Sequence, residues 1–311
     1  MPRISLVILC VLIFVNARLS QACESCTVVF MGKKEKSSTT TPHVTAKVLY
    51  ENQDWKEMPA EEAHELHHDG HHVHDKQHEE IIHTVLTAHI NERLSVEADI
   101  PYVKRHYIEI DSHANLGKNE TSQGLGDIVL TGDYRFINDD KKTVGVIAGL
   151  KLPSGETKEN NSFNVLIEPE LQPGTGSLDY IAGLSGSYHP GSLDFSSTAI
   201  YIYRTEGEQD FRAGDLFSMT FYGGKTFDIK DKLSLKTGLI LNNQLEKKQN
   251  NAGGPVKDSG GYTMLVGPQL SVAYDFASLE FSYLRPAIQN LGGVHQKLES
   301  GIWTGGVSVR F

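Results

Sequence analysis

The sequence predicts an all-β fold, a transmembrane antiparallel β-barrel of about 12 strands with six long outer loops and five short periplasmic turns. Three observations carry that expectation. Apolar and polar residues alternate with period two in segment after segment, the signature of a strand with one wet face. The connections between segments are short and long in strict alternation. Aromatic side chains gather near the segment ends, as they do where strands cross a bilayer's two interfaces.

The segments run 44–57, 81–91, 93–104, 125–137, 142–152, 178–189, 192–204, 215–229, 232–245, 261–275, 278–289 and 301–311. Most reach the roughly 9–11 residues that a tilted strand needs to cross a bilayer. Short turns fall at 91–92, 138–141, 190–191, 230–231 and 277, and long loops at 58–80, 105–124, 153–177, 205–214, 246–260 and 290–300. An even strand count closes the sheet and leaves no open edge. After residue 22 no apolar run approaches the ~20 residues of a membrane helix, a test that barrels escape.

The faces agree with this. In 125–137, Ile128, Leu130, Tyr134 and Phe136 share one side, and Asp127, Thr131, Asp133 and Arg135 the other. In 261–275, Tyr262, Met264, Val266, Leu270, Val272 and Tyr274 oppose Gln269, Ser271 and Asp275. A basic side chain facing lipid at mid-bilayer costs ~2–4 kcal/mol, so the charged faces should line the lumen. Asp127, Asp133, Arg135, Lys151, Lys236 and Glu280 are then candidate determinants of solute selectivity. Arg285 is the exception, since it shares a face with Leu279, Phe281 and Tyr283. Loop 153–177 is the longest, and is a candidate to fold inward as a constriction. Its Pro169, Pro173, Gly174 and Gly176 favour turns.

Residues 1–22 read as a secretory signal, with Arg3 ahead of the apolar stretch 4–15 and small residues at Ser20 and Ala22. Without it the chain keeps 27 basic residues against 39 acidic ones, a net charge of −12. An acidic exported chain is a poor nucleic-acid partner. Residues 23–43 form a flexible lead whose Cys23 and Cys26 make a C-x-x-C. No βαβ context for a redox motif follows, so a local disulfide or lipidation of Cys23 is the reading. Residues 44–311 form the barrel, and its last strand ends on Phe311, the kind of terminus the barrel assembly machinery reads.

The stretch 61–80, within the His-rich outer loop 58–80, carries His64, His67, His68, His71, His72, His74 and His78, half of the fourteen histidines. Neutral imidazole is a good ligand for Zn²⁺, Cu²⁺ or Ni²⁺. These residues are candidate ligands for such an ion; no cofactor is required. The bland alternative is a solvated polar loop that titrates near ~6.5.

Four pieces, N-E-R-L-S-V-E-A-D-I-P-Y (91–102), G-L-G-D-I-V-L-T-G-D-Y-R-F (124–136), G-L-K-L-P-S-G (149–155) and L-Q-P-G-T-G-S-L-D-Y (171–180), resemble in order and spacing the outer-membrane β-barrel family named for the MetA pathway of phenol degradation. The resemblance runs from about residue 80 to the end. It implies a porin-like or transporter barrel in the outer membrane of a Gram-negative bacterium, with passage of small solutes and no catalytic residues. The sequence itself offers no G-x-S-x-G, and no Ser/His pair at suggestive spacing, so a hydrolase is not expected. The expected partners are outer-membrane lipid, the assembly machinery and small solutes. Two rivals remain, a metal-binding surface protein anchored by a non-conducting barrel and a soluble exported β protein.

Overall fold

The computed structural model describes residues 42–56, 73–110, 117–256, 259–292 and 297–311. Twelve strands close into one antiparallel barrel. They are β1 (His43–Asp54), β2 (Val73–His89), β3 (Leu94–Ile110), β4 (Val129–Asn138), β5 (Lys142–Lys151), β6 (Asp179–Tyr188), β7 (Leu193–Tyr203), β8 (Leu216–Lys230), β9 (Leu233–Glu246), β10 (Gly261–Tyr274), β11 (Ala277–Leu291) and β12 (Ile302–Arg310). Neighbours in the chain pair throughout, and β1 with β12 completes the ring. Through the membrane-crossing wall every strand therefore has a paired neighbour on each side, the condition for a sheet to sit in hydrocarbon.

The hydrophobic pattern is inverted relative to a water-soluble core. Leu184 is 58% exposed, Leu239 62% and Leu279 56%, and all three point outward. Asp127, Asn242 and Glu51, on inner faces, are fully buried. The outer surface is thus the apolar one, and lipid is the solvent that matches it. This wall decides against a soluble exported β protein and places the barrel in the outer membrane.

Two aromatic belts bound the apolar band. At the end of the long loops Tyr283 stacks on Trp303 with ring centroids 4.0 Å apart, and Tyr180 lies 6.5 Å from Tyr203. At the other end Phe136, Tyr188, Phe227 and Tyr274 point outward and are exposed. Arg285 keeps the face assigned to it and is exposed. It is the next outward position beyond Tyr283, so its charge lies on the solvent side of the outer belt. A bulge follows at once, opposite Met264 and Leu265.

The wall differs from the sequence reading on one side. Strand β2 begins at Val73, so the first outer loop ends there rather than at residue 80. Within 105–124, read as a loop, the described residues are strand. β3 continues to Ile110 and returns as Gly117–Leu125, an outer piece of the fourth strand. The outer piece pairs with Tyr102–Ile110, and β4 proper pairs with Leu94–Asp99. These extensions stand above the aromatic belt, where both faces meet water or protein. Polar side chains stand on both faces, and the apolar period that reveals a strand is lost.

Candidate functional site: the lumen and its inward loop

The inner face carries charge at nearly every level. Arg105 donates to Glu79 at 2.9 Å, Arg204 to Glu246 at 2.6 Å, and His83 lies 2.9 Å from Asp99. Lower in the lumen Lys47 pairs with Glu280, Lys236 sits 3.6 Å from Asp194, and Arg135 sits 3.9 Å from Asp133. Ion pairs this deep offset their own desolvation at best, so their value lies in fixing side-chain positions rather than in stability.

The connection 152–178, between β5 and β6, folds into this lumen. Its Ile167 and Leu171 pack on Tyr107 of β3. Ser122 donates to Leu171 O at 2.6 Å, and Arg105 donates to Glu170 O. Gln172 holds the loop to itself, with Nε2 donating to Ile167 O (3.0 Å) and Glu159 O (3.1 Å).

The neck of the loop is tied to one carboxylate. Asp127 sits in the break between the two pieces of the fourth strand and is fully buried. It accepts from Lys151 Nζ at 2.8 Å, Gly155 N at 2.9 Å, Thr175 N at 2.9 Å and Thr175 Oγ1 at 2.6 Å. Lys151 also reaches Asp179 at 3.1 Å and Ser177 at 2.9 Å. One side chain therefore receives backbone amides from both ends of the loop. The two ends cross at glycines, since a Cβ built on Gly174 would lie 2.6 Å from Gly155 Cα. Between this loop and the wall lies a cavity of about 40 Å³, bordered by Arg105, Lys151, Arg204, Ile181, Ile202 and Phe211.

A second cluster narrows the opposite wall. Tyr222, Ile240, Leu265, Leu284 and Ile302 form an apolar patch on the inner face, and Leu298 packs into it from the connection before β12.

The sequence-derived candidates are placed as follows. Asp127, Asp133, Arg135, Lys151, Lys236 and Glu280 all project into the lumen, and Asp127 and Lys151 come together at the loop neck. Cys23, Cys26, His64, His67, His68, His71 and His72 lie outside the described residues, and His74 is described in backbone only, in β2. His78 belongs to β2 and faces outward above the aromatic belt. Sequence reasoning missed Thr175, Ser177, Glu79 and Arg105. For Thr175 and Ser177 the one local signal was the pair of glycine-bearing turns at 153–155 and 173–176.

Three of the four motif pieces noted above, 124–136, 149–155 and 171–180, thus meet at the neck. A family model described as "Putative MetA-pathway of phenol degradation" matches residues 79–286. The chain belongs to this family. Among solved structures it is similar to an outer membrane channel from Pseudomonas putida F1, at 14% identity and a TM-score of 0.59, covering 90% of this chain and 99% of that one. It is also similar to the beta domain of the Bordetella autotransporter BrkA, at 11% identity and a TM-score of 0.48, covering 87% and 99%. No curated protein matches the chain in sequence. The likeness to the Pseudomonas barrel is one of fold.

Proposed function

We propose that the barrel is a narrow diffusion channel for small solutes, with a slight preference for cations. The observation that carries this reading is the lumen. Its wall is polar and charged, and a loop is built into it on specific hydrogen bonds. Loop ties of this kind set a bore. The sign of the preference comes from charge, since buried carboxylates outnumber buried basic side chains, seven to four, among the described residues. Rings of acidic groups favour cations in pores. The Pseudomonas barrel to which the chain is similar in fold is itself an outer membrane channel, which agrees with this use.

The His-rich tract extends the proposal. His64, His67, His68, His71, His72 and His74 lie on or beside the connection between β1 and β2, which is on the outer side. Imidazoles at this density capture divalent transition metals at the mouth.

Planar-bilayer conductance of the refolded protein tests the channel reading. Small discrete steps are expected, with a reversal potential displaced toward cations in a potassium chloride gradient. Folded, inserted protein that stays silent would sink the channel and leave an anchored metal binder. Zinc added on the long-loop side should reduce the current, and the reduction should vanish when His64, His67, His68, His71, His72 and His74 are changed to Ala.

A further inference from the structure

On the lipid-facing wall, register builds one ordered patch at the outer ends of β7, β8 and β9. Tyr201 of β7, Phe217 of β8, Leu245 of β9 and Tyr262 of β10 lie in one row, each opposite the next. All four stand on the outward face and form the outer belt on this side. The next outward row holds Tyr203, Asp215 and Lys247, with the Lys247 amide donating to Asp215 O at 2.9 Å. Two residues of a tilted strand climb roughly 5 Å along the membrane normal, which carries a side chain from the belt to the headgroups.

Two cations are seated there on one carboxylate. Lys247 Nζ donates to Asp215 Oδ2 at 2.8 Å and to Tyr201 Oη at 3.3 Å, and Arg212 Nη2 donates to Asp215 Oδ1 at 2.9 Å. Arg212 Nε donates to Arg204 O at 2.7 Å, and its guanidinium carbon lies 5.1 Å from the centre of the Tyr203 ring. The charges are layered. Asp215 is 4% exposed, whereas the Lys247 side chain is 67% exposed and that of Arg212 32%. Two cations on one carboxylate leave the patch one positive charge, and it is the cations that face outward. A guanidinium carries five N–H groups and an ammonium three, so both keep donors beyond these bonds. Glu206, Glu208 and Asp210 are exposed acids of the same connection. Their turn leans the other way, over the inward loop, since Glu208 N donates to Thr175 O and Gln209 Nε2 to Ile167 O, both at 3.1 Å.

We infer that Arg212 and Lys247 form a headgroup site for a phosphate of the outer-leaflet glycolipid, whose acyl chains lie on Tyr201, Phe217 and Leu245 below. The outer leaflet of a Gram-negative outer membrane is built on a glycolipid whose sugars carry phosphates. A guanidinium fork grips a phosphate through paired N–H groups, and an ammonium beside it adds a point charge. Basic side chains at headgroup level recognise anionic lipid in this way. The patch is continuous with the lipid-covered wall, and the apolar row beneath it gives a lipid's chains a seat that a free phosphate ion does not use. The site rests on the barrel's outer surface and is independent of whether the lumen conducts.

The test uses the full chain, folded in detergent, with folding checked by gel shift before and after boiling. Lipid A carrying both phosphates is titrated in, and bound lipid is counted by native mass spectrometry. Lipid A stripped of its phosphates is titrated in parallel. One tightly held phosphorylated lipid is expected, and stripping the phosphates should weaken it about tenfold or more. Arg212→Gln combined with Lys247→Gln should lose a similar factor and no longer distinguish the two lipids. Arg285→Gln, which removes an outward cation elsewhere above the belt, should leave the preference intact. Equal affinity of the unaltered protein for the two lipids would overturn the site, and that comparison needs no variant to fold. So would a folded double variant that keeps the preference, or an equal loss in Arg285→Gln. Inorganic phosphate at millimolar concentration should not displace the lipid; full displacement would mark a site for the free ion and overturn the lipid as its occupant.

Discussion

Asp127→Ala should loosen the inward loop and change the channel's current. Asp127 receives two backbone amides, one hydroxyl and one ammonium, and it is out of contact with solvent. Breaking a buried ion pair from one side costs about 3–5 kcal/mol, because the other charge is left behind. Here Lys151 keeps Asp179 and Ser177, so the lower end applies, roughly 3 kcal/mol. The orphaned amides are Gly155 N and Thr175 N, at the two ends of one loop. The loss therefore falls on the loop rather than on the barrel ladder. At tenfold per 1.4 kcal/mol, the released state gains about a hundredfold in population. Single-channel traces should change from a steady low level to flicker between that level and a larger one. The folded fraction on gels should stay near that of the unaltered protein. A folded Asp127→Ala protein with unaltered step size and no added noise would falsify the idea that the neck sets the bore.

Gly174→Val should reproduce this behaviour sterically, since its Cβ would meet Gly155 Cα at 2.6 Å. Combined with Asp127→Ala it should add little, because both act on one neck; a fully additive change would refute that. Leu184→Lys puts a charge on the lipid face near the middle of β6 and should cost about 2–4 kcal/mol, read as a lower folded fraction in vesicles. Ser185→Lys, one residue on and facing Asp133, should be tolerated, and equal losses from the two would contradict the assigned faces. At the outer rim, Asp215 accepts from Tyr201, the Arg204 amide, Arg212 and Lys247. Burial pushes its carboxyl up, but the hydrogen bonds from Lys247, Tyr201 and the Arg204 amide outweigh this and lower it from 3.8 to about 2. A depressed carboxyl stabilises above its unfolded value and loses that contribution as pH falls through its folded value. Proteolysis of the 204–215 connection should therefore rise as pH falls from about 4 to about 2, and Asp215→Asn should remove that pH dependence.

The membrane-crossing part of this protein was legible in its sequence because the information there is local. Within the bilayer every second residue must be apolar, so Leu130, Tyr134 and Phe136 against Thr131, Asp133 and Arg135 already name the two faces of β4. The short turns at 138–141 and 190–191 then fix which strands are neighbours. Above the belt the same backbone carries no such code. The segment from Lys104 to Ile110 pairs with Gly117–Gln123, yet both faces bear polar side chains, and the sequence reads as loop. The loop neck was hidden for a different reason. Asp127 and Lys151 each showed as inward residues, but nothing local says that 152–178 turns back to meet them. That depends on Gly155 and Gly174 crossing at backbone distance, which only the closed barrel imposes. Arg212 and Lys247 make the same point, for the sequence put them in two separate outer loops. The pairing of β8 with β7 and β9 brings both to Asp215, because register across a sheet is decided by the strands' whole length and not by any residue's neighbours in the chain.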